Sequence, residues 1–160
     1  MAYSNNQTNL FSSFNNAVRN YSSRATFRYH SLHFFLTRAV VLLRSSCWWS
    51  PWKVYRGMRG ISFKYERIGG EVRFGQFSSS STNQTVAKDF GDDTFFTFTS
   101  CFGVDIKKYS YYPKQEEVLI PVDEVFQVTD FTTQGGKERF VLKTTKSRCH
   151  YYNCDYLYNG

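Results

Sequence analysis

The decapeptide YPKQEEVLIP, residues 112–121, combines a turn signal with a short apolar strand. Its Tyr-Pro pair predicts a turn, and the apolar run that closes at Pro121 predicts a strand. Because strand side chains alternate in direction, Gln115 and Glu117 are expected on one face and Glu116 on the other. Two polar side chains would then lie together at the start of a strand. A solvated sheet edge is the alternative that this stretch alone leaves open.

Two earlier stretches favour a functional site. Val54–Gly57 (VYRG) predicts a strand that ends in an arginine beside a glycine, and Arg73–Ser81 (RFGQFSSSS) places four serines after an aromatic residue. A serine run is also typical of a flexible linker, but here it lies between a predicted strand and a predicted helix. Arginine, serine and glutamate in this order resemble the R-S-E signature of the arginine-specific mono-ADP-ribosyltransferases, the vertebrate ecto-enzymes and their toxin relatives. The resemblance extends from about Phe14 to the C-terminus.

The resemblance implies NAD as the substrate and no metal cofactor. Arg56 would grip a phosphate or a ribose of NAD with its forked guanidinium. Gly57 would let the backbone approach the ligand closely. Ser79 would orient the nicotinamide ribose and the glutamate, and Ser81 would close the serine motif. Phe90 is at the position where relatives place an aromatic ring against nicotinamide, with a place in the core as an equal alternative.

Glu117 is the expected centre of the chemistry. Cleavage of the nicotinamide–ribose bond builds positive charge on the sugar, which a fixed carboxylate stabilises. Gln115 departs from the pattern, because arginine-modifying relatives have Glu there. An amide cannot pair ionically with a guanidinium or accept its proton, whereas water needs no such partner. The catalytic set Arg56, Ser79, Gln115 and Glu117 therefore predicts transfer of ADP-ribose to water or to a protein arginine, with hydrolysis favoured.

Composition limits the other classes of function. The 160 residues suit one domain, residues 1–160, in which residues 1–9 are expected to be loose. An aromatic content of 19% is incompatible with a chain that is disordered as a whole. The net charge of +7 favours anionic partners, but the basic residues are scattered, so nucleic acid is not expected. The alternative is a catalytically weak NAD-binding module, or a basic-surface interaction module, on the same fold. A monomer is expected.

The periodicity predicts helices first and strands after them, hence an α+β fold. Apolar spacing indicates helices over 10–21 and 31–45, and a short one over 83–89. His33 lies off the apolar stripe of the second helix and is expected at the surface. That stripe consists of Leu32, Phe35, Leu36, Ala39, Leu42 and Leu43. The resemblance implies the ADP-ribosyltransferase fold, with N-terminal helices packed on two short, mostly antiparallel sheets and an NAD cleft between them. The predicted strands cover 52–56, 62–66, 72–77, 94–100, 117–120, 124–129 and 138–143.

The four cysteines permit two disulfides. The resemblance implies a bond between Cys47 and Cys101. Cys154 resembles a cysteine that pairs near the N-terminus of relatives, where this chain has none. Either Cys149 substitutes as its partner or Cys154 is free. Neither cysteines nor histidines have the spacing of zinc ligands.

Localisation is addressed by three kinds of pattern. The first 25 residues lack the apolar centre of a signal peptide, and no apolar run of 18 residues that would span a membrane occurs. Sequons at Asn6, Asn20 and Asn83 favour a secreted context. The family resemblance likewise implies an extracellular or cell-surface location.

Overall fold

The computed structural model describes residues 9–20, 26–44, 47, 50–63 and 67–149. Within these ranges helices α1 and α2 precede the strands, and the short helix α3 and a 3-10 turn, Pro113–Gln115, interrupt them, so the predicted α+β class is confirmed. The elements are α1 Leu10–Arg19, α2 His30–Leu43, β1 Trp52–Met58, β2 Glu71–Val72, β3 Ser78–Ser81, α3 Gln84–Asp89, β4 Thr94–Ser100, β5 Val104–Asp105, β6 Glu117–Ile120, β7 Glu124–Gln134 and β8 Lys137–Arg148.

The strands form one sheet in the order β2-β7-β8-β4-β1-β3-β6-β5. Neighbouring strands are antiparallel except β4 and β8, which are parallel. The expectation of two separate sheets is corrected by this topology. Strands β1 and β3 are joined through the single pair Tyr55 and Ser81, and this pair makes the ladder continuous. The sheet therefore has two parts that meet at a narrow junction.

The serine run is itself a strand. Residues 73–77, predicted as strand, form a loop in which Gly75 has a φ of 67°. Strand β3 begins only at Ser78 and pairs with β6, so that Ser79 lies opposite Leu119 and Ser81 opposite Glu117. The serines are held rigidly because they pair with β6, and not because a strand ends before them. The strand predicted over 62–66 is also wrong at residues 62 and 63, and its remainder lies outside the described residues.

Two apolar clusters lie on opposite faces of β6. Leu119 packs into a cluster with Phe14, Leu36 and Phe77, which fixes α1 and α2 against the sheet. Its neighbours Val118 and Ile120 face the second cluster, which contains aromatic residues of β4, β7 and β8. Alternation along one strand thus buries both faces, and all four residues of β6 are buried. Glu117 begins this strand, so its backbone is fixed by the packing of the strand residues that follow it.

Helix α2 buries only part of the predicted apolar stripe. Leu36 and Val40 are buried, whereas Phe35 and Leu42 of the predicted stripe are 67% and 73% exposed. His33 is half-buried, with its ring centroid 5.6 Å from that of Phe77, so the surface expectation is wrong. This burial lowers the pKa of His33. None of the helices described is long and apolar enough to cross a membrane.

The predicted disulfide between Cys47 and Cys101 is present, with the two Cα atoms 4.8 Å apart. Beside it, the buried carboxylate of Glu124 accepts hydrogen bonds from the Cys101 amide (2.7 Å) and the Ser100 hydroxyl (2.6 Å). The disulfide thus ties the segment after α2 to the end of β4. Cys149 forms no disulfide within the described residues, and Cys154 lies outside them, so its pairing stays a prediction.

Candidate active site

A cleft of about 280 Å³ opens where β1 meets β3. The junction leaves space because the two parts of the sheet are joined there by one residue pair. Every residue predicted for the site lines this one cleft, although the residues come from five different elements or loops. They are Arg56, Gly57, Ser79, Ser81, Phe90, Gln115 and Glu117.

Glu117 is the only carboxylate that lines the cleft among the described residues, and it is 6% exposed. The Ser79 hydroxyl donates to its Oε1 at 2.5 Å, and the Ser110 hydroxyl donates to its Oε2 at 3.3 Å. Each carboxylate oxygen is therefore held by one serine. Burial raises the pKa of Glu117, while the two serine bonds and the charge of Arg56 act in the opposite direction.

Arg56 is held at the cleft by β1 and β3. Its Nη1 donates to the carbonyl oxygen of Ser79, and its guanidinium carbon lies 6.0 Å from the centroid of the Phe74 ring. Both contacts restrict the side chain, and the ring contact is a cation–π geometry. A fixed cation at the wall of a cleft is suited to a phosphate or a polar sugar.

Ser81 acts on the turn that carries Gln115. Its hydroxyl donates to the Gln115 carbonyl at 2.7 Å and accepts from the Asn83 amide at 3.0 Å. The neighbouring Ser80 hydroxyl donates to the Val118 carbonyl at 2.8 Å. The serine run thus fastens strand β3 to both the turn and the strand of the YPKQEEVLIP stretch.

The prediction that Gln115 and Glu117 share one face of a strand is wrong, because Gln115 is not part of the strand. Gln115 ends the 3-10 turn, and Glu116 has a left-handed backbone with a φ of 47°, so the strand begins only at Glu117. Gln115 nevertheless lines the same cleft as Glu117. The Glu116 carboxylate lies outside it, where it accepts from the Thr82 hydroxyl at 3.1 Å and lies 4.0 Å from Lys107 Nζ. The left-handed backbone of Glu116, rather than strand alternation, accounts for the different directions of the Gln115 and Glu116 side chains.

Gly57 has a packing role that the sequence does not reveal. A Cβ at this position would lie 2.0 Å from the Gly91 carbonyl oxygen and 2.3 Å from that of Ala87. Glycine is therefore required for β1 to pack against the end of α3, whether or not a ligand is bound. Phe90 follows α3 and is 52% exposed at the cleft, so the alternative of a core position does not apply.

Sequence reasoning missed Ser110 and the α1 residues Phe11 and Ser12, which also line or support the cleft. Ser110 reaches Glu117 because the loop before it folds back, with the Ser110 amide donating to the Ile106 carbonyl at 2.8 Å. No spacing in the sequence announces that fold-back. Within the described part of the chain, no group of three or more His, Cys, Asp or Glu residues is arranged to hold a metal ion.

Comparison with known proteins identifies the fold and the family. The family model described as NAD:arginine ADP-ribosyltransferase matches residues 1–150. The chain belongs to the NAD:arginine ADP-ribosyltransferase family. This family assignment agrees with the serine, arginine and glutamate groups that converge in the cleft.

Relatives of this ADP-ribosyltransferase-family chain match nearly all of it. It is 44% identical to NAD(P)(+)--arginine ADP-ribosyltransferase 2 of Gallus gallus, over 94% of the chain and 49% of the relative. It is 42% identical to ecto-ADP-ribosyltransferase 5 of Homo sapiens, over 98% of the chain and 57% of the relative. The chain thus spans about half the length of these curated relatives.

A solved structure confirms the ADP-ribosyltransferase fold. A variant of the eukaryotic mono-ADP-ribosyltransferase ART2.2 in complex with NAD has a TM-score of 0.77 and 37% sequence identity to this chain. The match covers 94% of this chain and 65% of that structure. The mixed sheet and its flanking helices are therefore a known arrangement.

Proposed function

We propose that the cleft binds NAD, releases nicotinamide and passes ADP-ribose to water or to a protein arginine, with water favoured. The observation that carries this proposal is the buried Glu117 carboxylate, held by Ser79 and Ser110 with Arg56 beside it. Family membership and the NAD complex of the ART2.2 variant support the choice of NAD.

The chemistry follows from where charge develops. Breaking the bond between the ribose C1′ and the nicotinamide nitrogen sends the electron pair to the ring and leaves positive charge on the sugar. An ionised Glu117 stabilises that charge, and its two serine bonds keep the carboxylate in place. Arg56 would hold a phosphate or ribose of NAD, and the exposed ring of Phe90 would lie against nicotinamide.

Gln115 supports the preference for water. The residue is held in the turn by Ser81 and lines the same cleft as Glu117. Its amide offers an incoming arginine no negative charge and no base. Glu116 does not replace it, because the Glu116 side chain lies outside the cleft, with Thr82.

Nicotinamide release from NAD, measured with and without the guanidine acceptor agmatine, tests the proposal. We expect free ADP-ribose as the main product and little effect of agmatine on the rate. ADP-ribosyl-agmatine as the main product would retain the cleavage and overturn the preference for water. A folded sample that is thermally stabilised by NAD but releases no nicotinamide would leave the binding-module alternative.

We further propose an extracellular or cell-surface location and a monomeric state. The human relative is named an ecto-enzyme, and a disulfide between Cys47 and Cys101 persists in oxidising compartments. Surface labelling of cells that express the tagged chain, and light scattering of the purified chain, test the two statements. Exclusively cytosolic protein with reduced cysteines would contradict the first, and a stable dimer the second.

A further inference from the structure

The sequon Asn83-Gln84-Thr85 begins two residues after Ser81, which lines the cleft, and all three of its residues are exposed. We propose that Asn83 carries an N-linked glycan, and that this glycan screens the Gln115 side of the cleft from protein acceptors while NAD still enters. The second half of this inference rests on the proposed function. The first half concerns a modification site: it needs the secretory location proposed above, but it does not need NAD cleavage.

The fold accommodates the sugar because of how Asn83 is used. Its side-chain oxygen, Oδ1, accepts from the backbone amides of Thr85 (3.0 Å) and Val86 (3.4 Å). N-glycosylation takes place at the other atom, the amide nitrogen, and leaves the carbonyl oxygen intact. The modified residue therefore keeps both of its bonds to the start of α3.

Asn20 offers a contrast. Its side-chain nitrogen donates to the Asn16 Oδ1 at 3.1 Å, so a sugar there would be attached to an atom that also makes a hydrogen bond. In the Asn83 side chain, by contrast, only the oxygen has a hydrogen-bond role among the contacts of the described residues.

Hydrogen bonds place Asn83 next to the turn that carries Gln115. The backbone amide of Asn83 donates to the Ser81 hydroxyl at 3.0 Å, and that hydroxyl donates to the backbone carbonyl of Gln115 at 2.7 Å. The preceding residue, Thr82, contacts Glu116 through both its amide (3.2 Å) and its hydroxyl (3.1 Å). A branched sugar on Asn83 therefore projects from the same rim as Gln115 and Glu116.

The modification is a group transfer from a lipid pyrophosphate-linked oligosaccharide of the secretory pathway. The Asn83 nitrogen forms a bond to the anomeric carbon of the terminal sugar, and the bond from that carbon to the pyrophosphate oxygen breaks. The lipid pyrophosphate leaves with the electron pair, and the nitrogen loses one proton. Thr85 provides the hydroxyl that the sequon requires.

A bulky hydrophilic group at this rim affects acceptors by size. NAD, water and agmatine are small enough to pass beside a solvated glycan, whereas a folded protein must bring its arginine to the cleft on a large surface. The glycan would thus add to the effect of Gln115 in favouring hydrolysis.

The test expresses the chain behind a secretion leader in a mammalian cell line and examines its tryptic peptide 74–88 by mass spectrometry. Peptide-N-glycosidase F treatment in heavy-oxygen water marks each Asn that carried a glycan. We expect Asn83 to be marked on most molecules of the parent and of Thr85→Ser, which keeps the sequon. Thr85→Ala and Asn83→Asp abolish the sequon, and Asp retains an oxygen for the α3 amides. If Asn83 is unmodified in the parent protein, whether the protein is secreted or retained in the cell, the proposed glycosylation of Asn83 is refuted.

The screening half is tested on the glycosylated parent and on Thr85→Ala. Hydrolysis of NAD and transfer to agmatine should be equal in the two proteins, and ADP-ribosylation of a folded protein acceptor should rise severalfold in Thr85→Ala. Equal protein labelling would overturn screening and leave the glycan in place. If neither protein cleaves NAD, the proposed function fails and screening fails with it, whereas the peptide masses still decide the glycan.

Discussion

The two serines that hold Glu117 should contribute unequally to catalysis. Ser79 bonds to one carboxylate oxygen at 2.5 Å, and Ser110 bonds to the other at 3.3 Å. We consider Ser79→Ala and Ser110→Ala, each of which removes one hydroxyl and leaves the carboxylate. Both hydroxyls lower the pKa of Glu117, whereas burial raises it. Loss of either should therefore leave Glu117 harder to ionise and less firmly positioned.

The bond lengths set the order of the two effects. A hydrogen bond to a charged group is worth about 1.5–3 kcal/mol, which corresponds to about a 10- to 150-fold loss of kcat/KM for Ser79→Ala. The Ser110 bond is longer than the usual range for hydroxyl donors. We assign it about 0.5–1.5 kcal/mol, or about a 2- to 12-fold loss for Ser110→Ala.

The assay is nicotinamide release as a function of pH. Activity requires ionised Glu117 and falls as pH decreases through its pKa, so a raised pKa moves the acid limb to higher pH. Both variants should show that move, and Ser110→Thr, which keeps a hydroxyl, should behave like the parent. If the variants are slower by the same factor at every pH, so that the acid limb does not move, the reasoning is refuted. A larger loss of kcat/KM for Ser110→Ala than for Ser79→Ala would also refute it.

Three further predictions concern neighbouring features. Gln115→Glu should raise the ratio of ADP-ribosyl-agmatine to free ADP-ribose, and Gln115→Ala should not; chromatography of the products tests this. Gly57→Ala should destabilise the fold by about 3 kcal/mol or more, because its Cβ would lie 2.0 Å from the Gly91 carbonyl oxygen, and urea unfolding measures the loss; an unchanged midpoint would contradict it. Replacing Cys47 and Cys101 together by Ser opens a loop with a sequence separation of 54 and should cost about 4 kcal/mol in the loop-entropy model. Thermal unfolding with and without reductant checks that value, since reductant should affect only the parent.

The sequence predicts the site better than the secondary structure around it. Arg56, Ser79 and Glu117 are separated by 23 and 38 residues along the chain, yet their order and residue types indicate one site. The structure brings them to one cleft because β3 pairs with β6 and lies beside β1. Residue chemistry is local information and can be read directly. Which strands pair is decided by the whole sheet.

The errors have the same physical origin. Ser78–Ser81 has poor strand propensity, but ladder bonds to β6 override it. Helix α2 is apolar on several sides, so its periodicity alone does not show that Leu36 and Val40 form the buried face. Ser110 was missed because its contact with Glu117 depends on a loop folding back.

The proposal that Glu117 is the catalytic carboxylate is tested by comparing the parent with Glu117→Gln under single-turnover conditions. Gln keeps the shape and can still accept from Ser79, and the loss of a buried charge should not destabilise the fold. We expect both proteins to be thermally stabilised by NAD, and nicotinamide release by the variant to be slower by orders of magnitude. Nicotinamide release by folded Glu117→Gln at the parental rate would contradict the assignment.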